Sequence, residues 1–179
     1  MVLTLNTMKK SGHLFCLIAG LIISSQIVNA QDAAAINKKN TLDSINNQIR
    51  LLTEKKMENE NNKNMVADFY QELFGDKNID AIDKYIGDVY IQHNPGVTDG
   101  KDALKSAVKV WFKGAPKEKI DIQHLAADGN FVYIHTKSQR GDKTYSVIDI
   151  FRIEKGKIVE HWDVMQEVPK QSVNPHPMF

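Results

Sequence analysis

Between Met65 and Phe74 the apolar residues fall on one helical stripe. Met65, Val66, Phe69, Tyr70, Leu73 and Phe74 recur at the spacing of an amphipathic helix, and Gly75 is placed to end it. Asn78 can cap a shorter second helix carrying Ile79, Ile82, Tyr85 and Ile86, closed by Gly87. A third helix, with Asp99 as its N-cap, puts Ala103, Leu104, Ala107, Val108, Trp111 and Phe112 on one face before Gly114 and Pro116 stop it. After Pro116 the period falls to two. Ile120, Ile122, His124 and Ala126 alternate with Asp121, Gln123 and Leu125 up to a turn at Asp128-Gly129-Asn130. Segments 131–138, 145–154 and 157–168 follow, joined by Gly141-Asp142 and Lys155-Gly156, both suited to two-residue hairpins. Helices that must bury their stripes on a meander of strands predict a two-layer α+β domain.

The first thirty residues read as an address. Lys9-Lys10 precede the ten-residue apolar run 14–23, and Val28-Asn29-Ala30 offers a cleavage site, so residues 1–30 are expected to be a secretory signal peptide. Ten apolar residues are half of the roughly 20 that span a bilayer, so stable membrane insertion is not expected after cleavage. The destination is the periplasm or the exterior. Residues 31–63 form a polar leader with some helical patterning at Ile45, Ile49 and Leu52, residues 64–169 are the folded domain, and residues 170–179 are a tail.

Charge excludes one class of partner. The 179 residues hold 23 basic and 22 acidic side chains, and cleavage would leave 21 against 22, too little positive field for nucleic acid. Cys16, the single cysteine, lies in the signal segment, which removes disulfides and thiolate metal sites. His124, His135 and His161 lack a close-spaced ligand set such as His-Glu-x-x-His, so no metal is expected.

The hairpin turns set the strand registers. Counting outward from Lys155-Gly156 puts Phe151 opposite Glu160 and Asp149 opposite Trp162. Counting from Gly141-Asp142 puts Ile134 opposite Asp149 and Val132 opposite Phe151. One face then carries Val132, Ile134, Val147, Asp149, Phe151, Glu160, Trp162 and Val164. A carboxyl among Ile, Phe and Trp is costly as a charge, so Asp149 is expected to hold a proton and act as a donor. His135, Ile148, Ile150, Arg152, His161 and Asp163 fall on the other face. One extra residue in the last strand would turn His161 and Asp163 inward.

These segments resemble the nuclear transport factor 2-like superfamily. Tyr90-Ile91-Gln92-His93-Asn94-Pro95 with Asp99-Gly100, and Val147–Arg152 running into Gly156–Val164, resemble its SnoaL-like polyketide cyclase group. The resemblance implies a cone-shaped α+β domain, three N-terminal helices packed on a curved antiparallel sheet, with a hydrophobic pocket between them and a homodimer as the assembly. It also covers ketosteroid isomerases. By that comparison Tyr70 and Asp149 stand where their two oxyanion donors stand, whereas their general base, an aspartate before a proline, is matched by Asn94, whose amide takes no proton.

The expected activity is therefore cofactor-free acid/base chemistry on a small hydrophobic carbonyl compound, as in a cyclase, isomerase or aldol-type enzyme. Tyr70 and Asp149 would hold an oxyanion, His93 or His161 with Asp163 would move protons, and Asn94, Trp111, Phe151, Trp162 and Gln166 would contact substrate. A binding protein that uses the same pocket without turnover is the competing expectation.

Overall fold

The computed structural model describes residues 5–179, with side chains from Gln26 onward. Side chains of the expected signal segment up to residue 25, its apolar run included, lie outside the described residues. Among the described residues no helix is long and apolar enough to cross a membrane. The chain divides into two compact units, Met1–Thr53 and Glu54–Phe179. In the first, helix α1 (Leu5–Tyr70) carries Ile36, Leu42, Ile45, Ile49 and Leu52 in exposed positions.

In the second unit the end of α1 begins the core. Val66 and Phe69 are fully packed, and Tyr70 follows them inward. The last turn widens into a π-helical segment, Gln71–Gly75, and Gly75 is required by a close approach. A Cβ there would lie 2.8 Å from the Glu118 carbonyl oxygen, and the Glu118 N–H donates to the Gly75 carbonyl at 3.0 Å. The Gln71 amide locks the same crossing by donating to the Glu118 carbonyl and accepting from the Ile120 N–H.

The second helix is shorter than its pattern suggests. Helix α2 covers Ala81–Tyr85, and Ile86 with Gly87 opens strand β1 (Ile86–Gln92), which the sequence does not announce. β1 runs parallel to the last strand, pairing Ile86 with Ile158 and Gln92 with His161. Tertiary hydrogen bonds therefore override a helical stripe at a β-branched residue. Asp99 does not cap the third helix. It accepts the Gln92 N–H at 2.8 Å, while Gly100, at φ 95°, precedes α3 (Lys101–Trp111). Leu104 and Val108 of α3 are buried, and Trp111 is half exposed.

The strands β2 (Asp121–Asp128), β3 (Phe131–Arg140), β4 (Lys143–Glu154) and β5 (Lys157–Glu167) form the expected meander. The five-stranded sheet has the order β1-β5-β4-β3-β2 and is antiparallel except for β1. Its inner face, Val132, Ile134, Phe151, Ile153 and Ile158, packs on Val66, Phe69, Leu73, Ile82 and Val108. The β3–β4 register is as counted, with Ile134 opposite Asp149.

Two bulges revise the other faces. In β2 the register shifts between Ile122 and His124, so Leu125 and Ala127 pack inward and His124 with Ala126 turns out. In β5, Ile153 pairs with Ile158 but Arg152 pairs with Glu160, which makes Val159 the extra residue. Beyond it Phe151 faces His161 and Asp149 faces Asp163. His161 and Asp163 thus point inward, while Glu160, Trp162 and Val164, placed on the inner face by the simple count, belong to the outer one.

Candidate active site

The β5 bulge assembles the site. Asp149 is 5% exposed and His161 9%, and their side chains meet with Oδ1 and Nε2 2.8 Å apart. The Tyr70 hydroxyl, delivered by the end of α1, donates to Asp149 Oδ2 at 2.8 Å. Phe151 lies against the imidazole, with ring centroids 4.8 Å apart, and packs edge-on against Tyr70.

Proton positions follow from Gln92. The Asn94 backbone N–H donates to Gln92 Oε1 at 2.9 Å, which fixes the oxygen end of that amide, and Gln92 Nε2 donates to the Tyr90 hydroxyl. His161 Nδ1 lies 2.8 Å from the same Oε1, so Nδ1 must carry a hydrogen and donate. Nε2 then has two options: it accepts from a protonated Asp149, or it donates as imidazolium to a carboxylate. Either way one hydrogen lies between Oδ1 and Nε2.

The phenols around this pair stay protonated. Burial first, and the neighbouring Asp149 second, push the Tyr70 hydroxyl well above its ordinary value. The Thr136 hydroxyl opposes that rise. It is buried beside Tyr70 but finds no partner in good hydrogen-bond geometry. Tyr90 is raised for the same two reasons, burial and Asp149.

Asp163 sits nearer solvent, and Asn94 Nδ2 donates to both of its oxygens, at 2.9 and 2.7 Å. Asp149, His161 and Asp163 offer three ligand atoms within 4.8 Å of one another, the geometry of a cation site. Asp149 Oδ1 and His161 Nε2 are already hydrogen-bonded to each other, so a cation taking both would have to displace the hydrogen between them.

The remaining expected site residues lie elsewhere. His93 joins the outer face, with Nε2 2.9 Å from Glu160 Oε1 and its ring stacked on Trp162 at 4.5 Å. Arg152 Nε donates to the other Glu160 oxygen at 2.6 Å, and the His93 and Arg152 contacts hold the Glu160 carboxyl below its usual range. Gln166 is exposed on that outer row, opposite Ser146, and Trp111 is exposed at the end of α3. The sequence reading passed over Gln92, Tyr90 and Thr136. The signal for the first two was β1 itself, whose alternation places Tyr90 and Gln92 on one side.

An acid, an imidazole and a phenol are thus joined by hydrogen bonds on the inner face of a helix-backed sheet in an α+β domain. The sequence model of the SnoaL-like polyketide cyclase family matches residues 64–171, and the chain belongs to that family. No curated protein matches the chain. Among solved structures it is similar to an NTF-2 like protein of unknown function from Burkholderia xenovorans LB400 (14% identity, TM-score 0.53, covering 64% of this chain and 89% of that one). It is similar also to a SnoaL-like protein from Jannaschia sp. CCS1 (16% identity, TM-score 0.52, covering 60% and 87%). An LEH-like epoxide hydrolase from M. tuberculosis shares 18% identity at a TM-score of 0.50, covering 61% and 85%. At these identities the likeness is one of fold.

Proposed function

We propose that the chain is a cofactor-independent acid/base enzyme acting on a small hydrophobic carbonyl compound, in the cyclase, isomerase or aldol class. The observation that carries this reading is the buried 2.8 Å contact between Asp149 Oδ1 and His161 Nε2, with Nδ1 held by Gln92. A pair that can present either a carboxylate beside imidazolium or a carboxylic acid beside imidazole can take a proton from carbon and return one to oxygen. Tyr70 steadies the carboxylate oxygen not facing His161, and Asp163 supplies a second carboxylate at the more open end of the group. Export and a homodimer belong to the same reading. Lys9-Lys10, the apolar run and Val28-Asn29-Ala30 support the first, and family resemblance supports the second.

The competing reading, a binding protein without turnover, draws on one observation. The Tyr70 hydroxyl is spent on Asp149, so it is not a free donor for an oxyanion. A thermal-shift screen with planar phenolic and steroid-like ketones finds ligands on either reading, because binding stabilises by mass action. Exchange of the ligand's α-protons in D2O, followed by NMR, separates the two. Enzyme-dependent exchange that disappears in Asp149→Asn and His161→Gln supports chemistry, and binding without exchange leaves a carrier. N-terminal sequencing of the secreted fraction should begin at Gln31, and chromatography with light scattering should give a dimer mass.

A further inference from the structure

We propose a second site, on the outer face of the sheet, in which His124 and His135 bind a late first-row divalent transition cation, copper(II) most tightly. The bulge in β2 turns His124 outward, directly opposite His135 in the β2–β3 register. Their Nδ1 atoms are 3.0 Å apart, and the ring planes lie within 9° of each other. The ring centroids are 5.3 Å apart, so the imidazoles meet through their Nδ1 edges. Two nitrogens at that spacing match the bite of neighbouring ligands on a cation held about 2.0 Å from each.

The second nitrogen of His135 is already engaged. Nε2 is 2.7 Å from Ser146 Oγ on β4, and an Nε2–H donated to that hydroxyl leaves the Nδ1 lone pair facing His124. This is how a ligating histidine is ordinarily oriented, by a hydrogen bond from its other nitrogen. His124 is exposed, so its ring can turn and its proton can move to the solvent side, giving two lone pairs to one cation. The proton now held between the two Nδ1 atoms is what the cation replaces.

The donor set selects the metal class. Two neutral imidazoles with a hydroxyl behind them suit copper, nickel or zinc, whereas calcium and magnesium need oxygen ligands. Among the late cations copper(II) binds nitrogen sites most strongly. The ammonium of Lys137, next on the outer row of β3, lies over the Phe179 ring at 5.2 Å, and that ring lies 5.9 Å from His135.

The full chain, prepared without a histidine tag, is titrated with copper(II) and with zinc(II) by calorimetry, and copper loading is read by electron paramagnetic resonance. One saturable site with nitrogen hyperfine structure is expected. Its affinity should fall by more than about tenfold in His124→Asn and in His135→Asn, and by less in Ser146→Ala. His124→Asn is the decisive variant, because an exposed side chain can be replaced without threatening the fold. Asp163→Asn, in the inner group, should leave copper affinity unchanged. Absence of saturable binding overturns the proposal, as does binding that survives both histidine variants or is lost only in Asp163→Asn. Loss only in Asp163→Asn would move the metal to the inner group.

Discussion

Asn94 and Asp163 form a closed pair in which one amide nitrogen reaches both carboxylate oxygens, at 2.9 and 2.7 Å. Asn94 is held from its other end, because Oδ1 accepts the Gly96 N–H at 2.8 Å. Strand β5 thus brings the Asp163 carboxylate against the amide of the loop that follows β1.

That pairing can be tested by swapping the two groups. Asn94→Asp alone sets two carboxylates in contact and should destabilise the fold by about 1–3 kcal/mol at neutral pH. Asn94→Asp with Asp163→Asn restores one amide and one carboxylate and should recover most of that loss in urea denaturation. A double variant no more stable than the single one would show that the pair does not act as a unit.

Gln92 sets which nitrogen of His161 carries hydrogen. Gln92→Leu removes the acceptor at Nδ1 and frees the imidazole to change tautomer. Nitrogen-15 NMR should show Nδ1 protonated in the parent chain and a mixture in the variant, with the pH profile of any proton exchange shifted. An unchanged Nδ1 signal would mean that Gln92 does not fix the proton.

Deleting Val159 removes the extra residue and leaves the pairs on either side of it in place, Ile158 opposite Ile153 and Glu160 opposite Arg152, so His161 and Asp163 should stay inward. The deletion variant should therefore keep a cooperative urea transition, destabilised by about 0.5–3 kcal/mol. Loss of the cooperative transition would contradict the register.

The alkaline limb of stability reports on Tyr70 and Tyr90. Both are raised in the fold by burial and by Asp149, so their neutral forms contribute stability that is complete below the ordinary tyrosine value of about 10. That contribution is lost as pH rises from there, because the unfolded chain ionises first. Absorbance at about 295 nm, where phenolate absorbs, should show a late-titrating fraction that shrinks in Tyr70→Phe and in Tyr90→Phe.

Gly75→Ala tests the crossing between the π-helical turn and the segment before β2. The added methyl would press on the Glu118 carbonyl, and overpacking of this kind costs about 1–3 kcal/mol. Urea denaturation checks the size. Loss of the Gln71 clamp in Gln71→Ala should be partly non-additive with it, because both act on one contact.

The sequence by itself determined the meander, its turns and the place of Asp149 opposite Ile134. Lys155 and Gly156 both have positive φ, as the two-residue turn requires, and Glu154 pairs with Lys157 as counted. These are local matters, in which period, turn chemistry and hairpin register are set by residues close in the chain. Tertiary structure decided everything that depends on a distant partner. β1 exists because β5 offers it a parallel edge, and Asp99 turns from helix cap to strand support because β1 is there. His161 faces inward because Val159 is an extra residue, and His124 faces outward because β2 carries a similar shift. A bulge leaves the alternation of residue types on either side intact, so only the side that buries better, Ile158 and His161 against the helices and Phe151, shows where the parity changed. The site therefore rests on a one-residue shift that periodicity cannot reveal and packing can.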